Sequence, residues 1–210
     1  MFYKKTVDDN TLELLTELQS RPYLSKFYLV GGTALALKIG HRKSVDLDLF
    51  SNFSFDEIQL LENLSFDYNF NLFYSSSNTL KGSINGVKVD ILAHRYRLIG
   101  QPIIEEGISM LSLKDITAMK LNAIAVSGQR IKDFIDVFFL LKKFSLKEML
   151  SFYKEKYTQY NEVNVLKSLV YFEDVDFSDR PEMILEHDLK WEEITSKLET
   201  TVKNYLSKNF

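Results

Sequence analysis

Asp46 and Asp48 stand one residue apart, flanked by Val45, Leu47, Leu49 and Phe50. On a β-strand, side chains alternate between faces, so the spacing predicts both carboxylates on one side. Two carboxylates that close repel and raise each other's pKa unless a cation lies between them. Hard oxygen ligands suit magnesium. Upstream, the apolar run 27–30 stops at Gly31-Gly32 and gives way to Thr33-Ala34-Leu35-Ala36-Leu37. A Gly-Gly at a strand-to-helix turn offers bare backbone N–H groups and a helix N-terminus, both suited to phosphate. The two features together point to a metal-bound nucleotide.

The elements that must position these groups follow from periodicity and punctuation. Leu12, Leu15 and Leu18 form one stripe of a helix expected over 10–19, ended by Arg21-Pro22. Strands are expected at 27–30 and 45–50, with a helix at 33–39 between them that Gly40 would cap. Ser54 and Glu57 form a capping-box pattern for a helix running to about residue 64. The stretch 66–74 reads as extended. Segments 80–84 and 87–92, joined by Asn85-Gly86, predict a hairpin with a type I′ turn, which puts Asp90 inside a strand. Gly100, Pro102 and Gly107 punctuate a connector, and thereafter helices are expected at 112–127, 130–144, 146–157, 161–172 and 190–206. The organisation expected is an α+β domain over 1–105 followed by an all-α domain over 106–210.

Bulk properties narrow the classes. The 210 residues suffice for one large domain or two small ones. A net charge of −3 argues against charge-driven coating of nucleic acid, though not against a local basic face. With no cysteine, thiolate metal sites and disulfides are excluded. Neither a signal-peptide core nor an apolar stretch of membrane-spanning length is present, so a cytoplasmic location without membrane association is the expectation.

Strand, Gly-Gly, helix, then Asp-x-Asp thirteen residues later (33–45 intervening) and a third aspartate on a later strand is the layout of the polymerase β-like nucleotidyltransferases. More narrowly, Gly31-Gly32-Thr33-Ala34-Leu35-Ala36-Leu37 with His41-Arg42-Lys43-Ser44-Val45-Asp46-Leu47-Asp48-Leu49-Phe50 resembles the AbiEii/AbiGii toxin family. Asp115 to Lys120 resembles that family's Asp-x4-Lys motif, and 130–137, with Asp133 and Asp136, its last helical motif.

The resemblance implies a polymerase β-like domain, followed by helices, that transfers a nucleoside monophosphate from an NTP to an acceptor hydroxyl. Asp46, Asp48 and Asp90 would hold two magnesium ions, and Asp90 could help deprotonate the hydroxyl. Gly31, Gly32 and Thr33 would cradle the triphosphate, with Arg42 or Ser44 assisting at phosphate. Lys120 is centred on the apolar stripe of Leu113, Ile116, Ala123 and Ile124, and its ammonium would meet the phosphates. Asp136, in a helix apolar all round beyond it, would orient Lys120; His41, Arg42 and Lys43 also read as solvated turn residues. His94, Arg95 and Arg97 form a candidate basic rim, with exposed connector charge as the plain alternative. The resemblance further implies a toxin of a type IV-like abortive-infection system, a tRNA 3′ end as acceptor and an AbiEi-type antitoxin as partner. A protein or small-molecule acceptor, or a non-catalytic nucleotide-binding module, stays open. The sequence fixes neither the base nor the oligomeric state.

Overall fold

The structure is a computed structural model describing residues 2–209. A seven-stranded mixed sheet carries the molecule's centre, in the order β3-β4-β5-β2-β1-β7-β6. Its strands are β1 (Tyr28–Leu29), β2 (Leu47–Ser51), β3 (Asn71–Ser76), β4 (Thr79–Ile84), β5 (Val87–Ala93), β6 (Ile103–Glu105) and β7 (Ile108–Met110). The helices are α1 (Asp9–Ser20), α2 (Gly31–Ile39), α3 (Glu57–Asp67), α4 (Leu113–Val126), α5 (Ile131–Leu140), α6 (Leu146–Lys156), α7 (Glu162–Ser168) and α8 (Trp191–Asn209). This is the α+β architecture expected. Among the described residues, no helix is long and apolar enough to cross a membrane.

Strand β2 is central because it serves two surfaces. Leu47, Leu49 and Ser51 are buried on one face, while Asp48 and Phe50 alternate onto the other. It pairs antiparallel with β1 and parallel with β5, in a register that sets Asp48 opposite Asp90. The β4–β5 hairpin turns at Asn85 and Gly86, both with positive φ (51° and 81°), as the type I′ turn requires.

Several boundaries differ from expectation for local reasons. The Asp56 side chain, not Ser54, caps α3 by accepting from the backbone N–H groups of Ile58 and Gln59. Helix α3 runs on to Asp67, so the extended stretch starts only at Asn71. The connector holds a second hairpin, β6–β7, turning at Glu106 and Gly107 with φ of 51° and 80°. β7 then pairs parallel with β1, so the sheet continues to Met110, past the boundary expected at residue 105.

Helix α4 is the hub of the helical layer and packs on α2, α5, α6 and α7. Ser112 caps it, accepting from Asp115 N while its Oγ donates to Asp115 Oδ2 at 2.6 Å. Asp115 also accepts from the backbone N–H groups of Ile99 and Gly100 and from Lys156 Nζ at 2.7 Å. Both Asp115 and Lys156 are buried, and Lys156 donates its second bond to the Arg97 carbonyl. Accepting from four donors, this carboxylate ties the connector to the helices.

Candidate active site

A cavity of ≈ 310 Å³ opens between the cavity-facing side of β2, the first turn of α2, and α4. Asp46, Asp48, Gly31, Gly32, Thr33 and Lys120 all line it. Asp46 reaches it from the extended segment just before β2 rather than from the strand itself. Its position is set through the backbone: the Thr33 hydroxyl donates to the Asp46 carbonyl and lies 2.9 Å from Ser44 Oγ. Thr33 lies inside α2 rather than at its cap, a place that Val30 occupies. Its hydroxyl joins α2 to the segment that carries Asp46 into β2.

The glycine pair has two separate steric causes. Gly31 takes φ +68°, and a Cβ there would collide with the Asp48 carboxylate. At Gly32 a Cβ would collide with the Arg42 guanidinium, with Ser44 Oγ 3.4 Å away. The N-terminal turn of α2 therefore lies directly on one carboxylate and one guanidinium. Its first N–H groups have no acceptor within the helix, which leaves an anion-attracting end at the cavity wall.

The carboxylates are crowded. Burial pushes the Asp48 carboxyl up to about 6; Lys120 draws it back down, while Asp90 and Asp46 add to the rise. Asp90 is buried, with Oδ2 at 3.4 Å from Lys88 Nζ and 3.9 Å from Lys81 Nζ. Its Oδ1 is buried without a hydrogen-bond partner among the described residues. Asp90 flanks Asp48 rather than lining the cavity. Among the described residues, no three His, Asp or Glu side chains are arranged to enclose an ion by themselves. That donor set suits magnesium, which is bound by one or two carboxylates and completed by water and substrate phosphates rather than by a protein cage.

Lys120 has an unexpected setting. Its ammonium lies 2.7 Å from both Asp133 Oδ1 and Asp136 Oδ2 and is 7% exposed, so it edges the cavity from within an ion cluster. Burial works to lower its pKa, and the two aspartates outweigh this and raise it. Asp136 is the centre of the cluster. It accepts from Arg42 Nε and Nη2 at 2.7 and 3.0 Å and contacts His41 Nε2 at 2.7 Å. Burial opposes its ionisation, but Arg42, Lys120 and His41 hold the carboxyl well below the usual carboxylate range. His41 and Arg42 are therefore core residues, not solvated turn residues, and Arg42 also donates to the Lys43 carbonyl. Likewise Asp133 and Asp136 pair across helices rather than with Arg130 and Lys132 on their own surface.

The far end of the cavity holds groups not singled out from the sequence: Phe50, Met119, Asn122 and Tyr157, together with His94 from the expected basic rim. Phe50 was findable, since it follows Asp48 by two residues on the same strand face. Tyr157 was not, because it comes from the end of α6, far along the chain. Arg95 and Arg97 are exposed, and Arg97 pairs with Glu155 at 3.1 Å.

Comparison with known proteins adds the kinship. The family model for the nucleotidyl transferase AbiEii toxin of type IV toxin–antitoxin systems matches residues 13–74 and 67–208. An uncharacterized protein of Aquifex aeolicus (strain VF5) is 36% identical over 200 residues, covering 92% of this chain and 95% of its own. Among solved structures, MenT4, a nucleotidyltransferase toxin of Mycobacterium tuberculosis H37Rv, superposes with a TM-score of 0.59 at 13% identity, covering 93% of this chain and 82% of that one. JHP933 from Helicobacter pylori gives 0.55 at 19% identity, covering 96% and 94%. At such identities the superpositions establish the shared polymerase β-like fold. By the extent of the family match and the Aquifex relative, this chain belongs to the AbiEii family of nucleotidyltransferase toxins.

Proposed function

We propose that this nucleotidyltransferase is magnesium-dependent and moves a nucleoside monophosphate from an NTP to the 3′-terminal hydroxyl of tRNA. The observation that carries the reading is the meeting, in one cavity, of the α2 N-terminus, Asp46, Asp48 and Lys120. Magnesium would supply charge neutralisation to the attacking and leaving oxygens. Asp46 and Asp48 would hold it, with Asp90 completing the donor set through an oxygen that has no hydrogen-bond partner among the described residues. The backbone of Gly31, Gly32 and Thr33 orients the triphosphate, and Lys120, held charged by Asp133 and Asp136, draws its negative oxygens. Asp136 keeps Lys120 in place, and Arg42 and Ser44 support α2 from below. In the transfer, the acceptor oxygen forms a bond to the α-phosphorus as the bond to the β-phosphate bridge breaks. Pyrophosphate leaves, and the hydroxyl proton passes to the carboxylate cluster.

The toxin family brings with it an antitoxin partner, proposed here as an AbiEi-type protein. The test incubates the protein with each labelled NTP, magnesium and total tRNA, then separates RNA, protein and small molecules. Label in tRNA, abolished by Asp46→Asn or by chelation, is expected. Label in protein or a small molecule instead would replace the acceptor. No label in any fraction, or transfer undiminished in Asp46→Asn, would overturn the reading.

A further inference from the structure

The aromatic end of the cavity is built differently from its charged end, and its polar groups are set by the protein before any ligand arrives. Phe50 follows Asp48 on the same face of β2, about 7 Å along the strand. Its ring lies 5.7 Å from the His94 ring, and Tyr157 Oη is 3.2 Å from His94 Nε2. Burial lowers the His94 pKa to about 4, so this wall carries no charge at neutral pH. Flat, uncharged rings beside a phosphate-binding turn suit a heterocyclic base. On α4, Asn122 lines the same cavity two residues beyond Lys120. Tyr153 Oη donates to its Oδ1 at 3.1 Å, so the amide oxygen faces Tyr153 and the amide nitrogen faces away from it. Burial, helped by Tyr96, raises the Tyr153 pKa, so its phenol keeps the proton that it donates. The Asn122 Nδ2 group has no hydrogen-bond partner among the described residues.

We propose that Phe50, His94 and Tyr157 form the wall on which the base of the NTP stacks, and that Asn122, oriented by Tyr153, selects the base through its free amide N–H. This rests on the nucleotidyl-transfer reading and adds the substrate choice to it. With the amide oxygen occupied and the nitrogen free, the site offers a donor. At the edge that carries pyrimidine C4 or purine C6 it therefore favours bases with a carbonyl oxygen there (uracil or guanine) over those with an amino group there (cytosine or adenine). An amino group placed against the amide N–H would leave two donors facing each other. Asn122 contacts the base; Tyr153 acts through Asn122 and is a positioning residue.

The experiment is competition binding of UTP, CTP, GTP and ATP to the whole protein with magnesium and without acceptor. Wild type should prefer the carbonyl-bearing pair over the amino-bearing pair by about tenfold, the scale of one hydrogen bond. Asn122→Asp puts an acceptor in place of the donor and should reverse the order. Tyr153→Phe frees the amide to turn, and should bring the two pairs within about threefold of each other while leaving overall affinity near wild type. A merely structural role for either residue would weaken all four nucleotides together. A wild-type preference unmoved by both variants, the opposite preference, or equal binding of all four would overturn this assignment alone. Absence of binding by any triphosphate would overturn it together with the nucleotidyl-transfer reading.

Discussion

Asp48 and Asp136 are both aspartates deep in the same site, yet burial ends in opposite states. Asp48 faces Asp90 across a parallel strand pair with Asp46 close by, and burial, with those two carboxylates adding to it, pushes its carboxyl up to about 6. Asp136 is surrounded by Arg42, Lys120 and His41, and is held well below the usual carboxylate range. Desolvation opposes both anions, so the neighbours decide the sign. The protein has given Asp136 enough positive charge to outweigh burial, whereas at Asp48 the pull of Lys120 is opposed by Asp90 and Asp46 and burial prevails. One cluster is an internally completed support, and the other gains by an added cation. Asp115, filled by Lys156, Ser112 and two backbone N–H groups, belongs with Asp136 as a completed support.

The same substitution should therefore act oppositely at the two places. Asp136→Asn leaves Arg42 and Lys120 buried beside a neutral amide, and stability should fall by about 3–5 kcal/mol in urea unfolding. A loss below 1 kcal/mol would erase the distinction between the clusters. Asp48→Asn relieves crowded charge, so the metal-free protein should melt a few degrees higher than wild type. Its nucleotide transfer should nevertheless drop by at least about 10²-fold. A lower melting point in metal-free Asp48→Asn would show that the carboxylate is a structural partner after all. Magnesium sharpens the contrast further. At a hundredfold excess over its Kd it should stabilise wild type by about 2.7 kcal/mol. Asp136→Asn, if it remains folded, should keep most of that gain, whereas Asp48→Asn should lose it. Equal gains in both variants would place the ion elsewhere.

What the chain disclosed in advance divides along the same line. The aspartates of the open cluster were legible, because Asp46 and Asp48 are near neighbours and Asn85-Gly86 marks the hairpin that delivers Asp90. Gly31-Gly32 announced a close approach, but not that Asp48 and Arg42 are what approaches. The completed cluster was far less legible. His41 and Arg42 lie about ninety residues from Asp136, and no local pattern connects them. Only the apolar run after Asp136 hinted that this helix is buried. No local pattern marks Lys156 either, because its partner, Asp115, is brought to it from another helix. The β6–β7 hairpin escaped because Glu106 takes the left-handed conformation that Asn or Gly more often signals, and because strands of three residues carry too little alternation to read.

The smallest effect separates the two ends of the cavity by pH. Asp136, with its folded pKa depressed, contributes stability that is present above its unfolded value near 4 and lost only as pH falls below it. His94 works in a different window. Its folded pKa, lowered by burial and by Lys156 and partly restored by Asp115, is about 4 against 6.5 in the unfolded chain. Between those values the unfolded state binds the extra proton, so stability should decline as pH falls from 6.5 towards 4. The cost should be about 1–2 kcal/mol, allowing for screening at a partly exposed ring. His41, also lowered by burial, adds to the same slope. His94→Gln keeps an acceptor for Tyr157 and should remove His94's share of the slope, leaving that of His41. Urea unfolding at half-unit steps from pH 7.5 to 4 reads this directly. An unchanged slope in His94→Gln would mean that the wall takes up a proton at no cost, and would remove the basis for treating it as the uncharged end of the cavity.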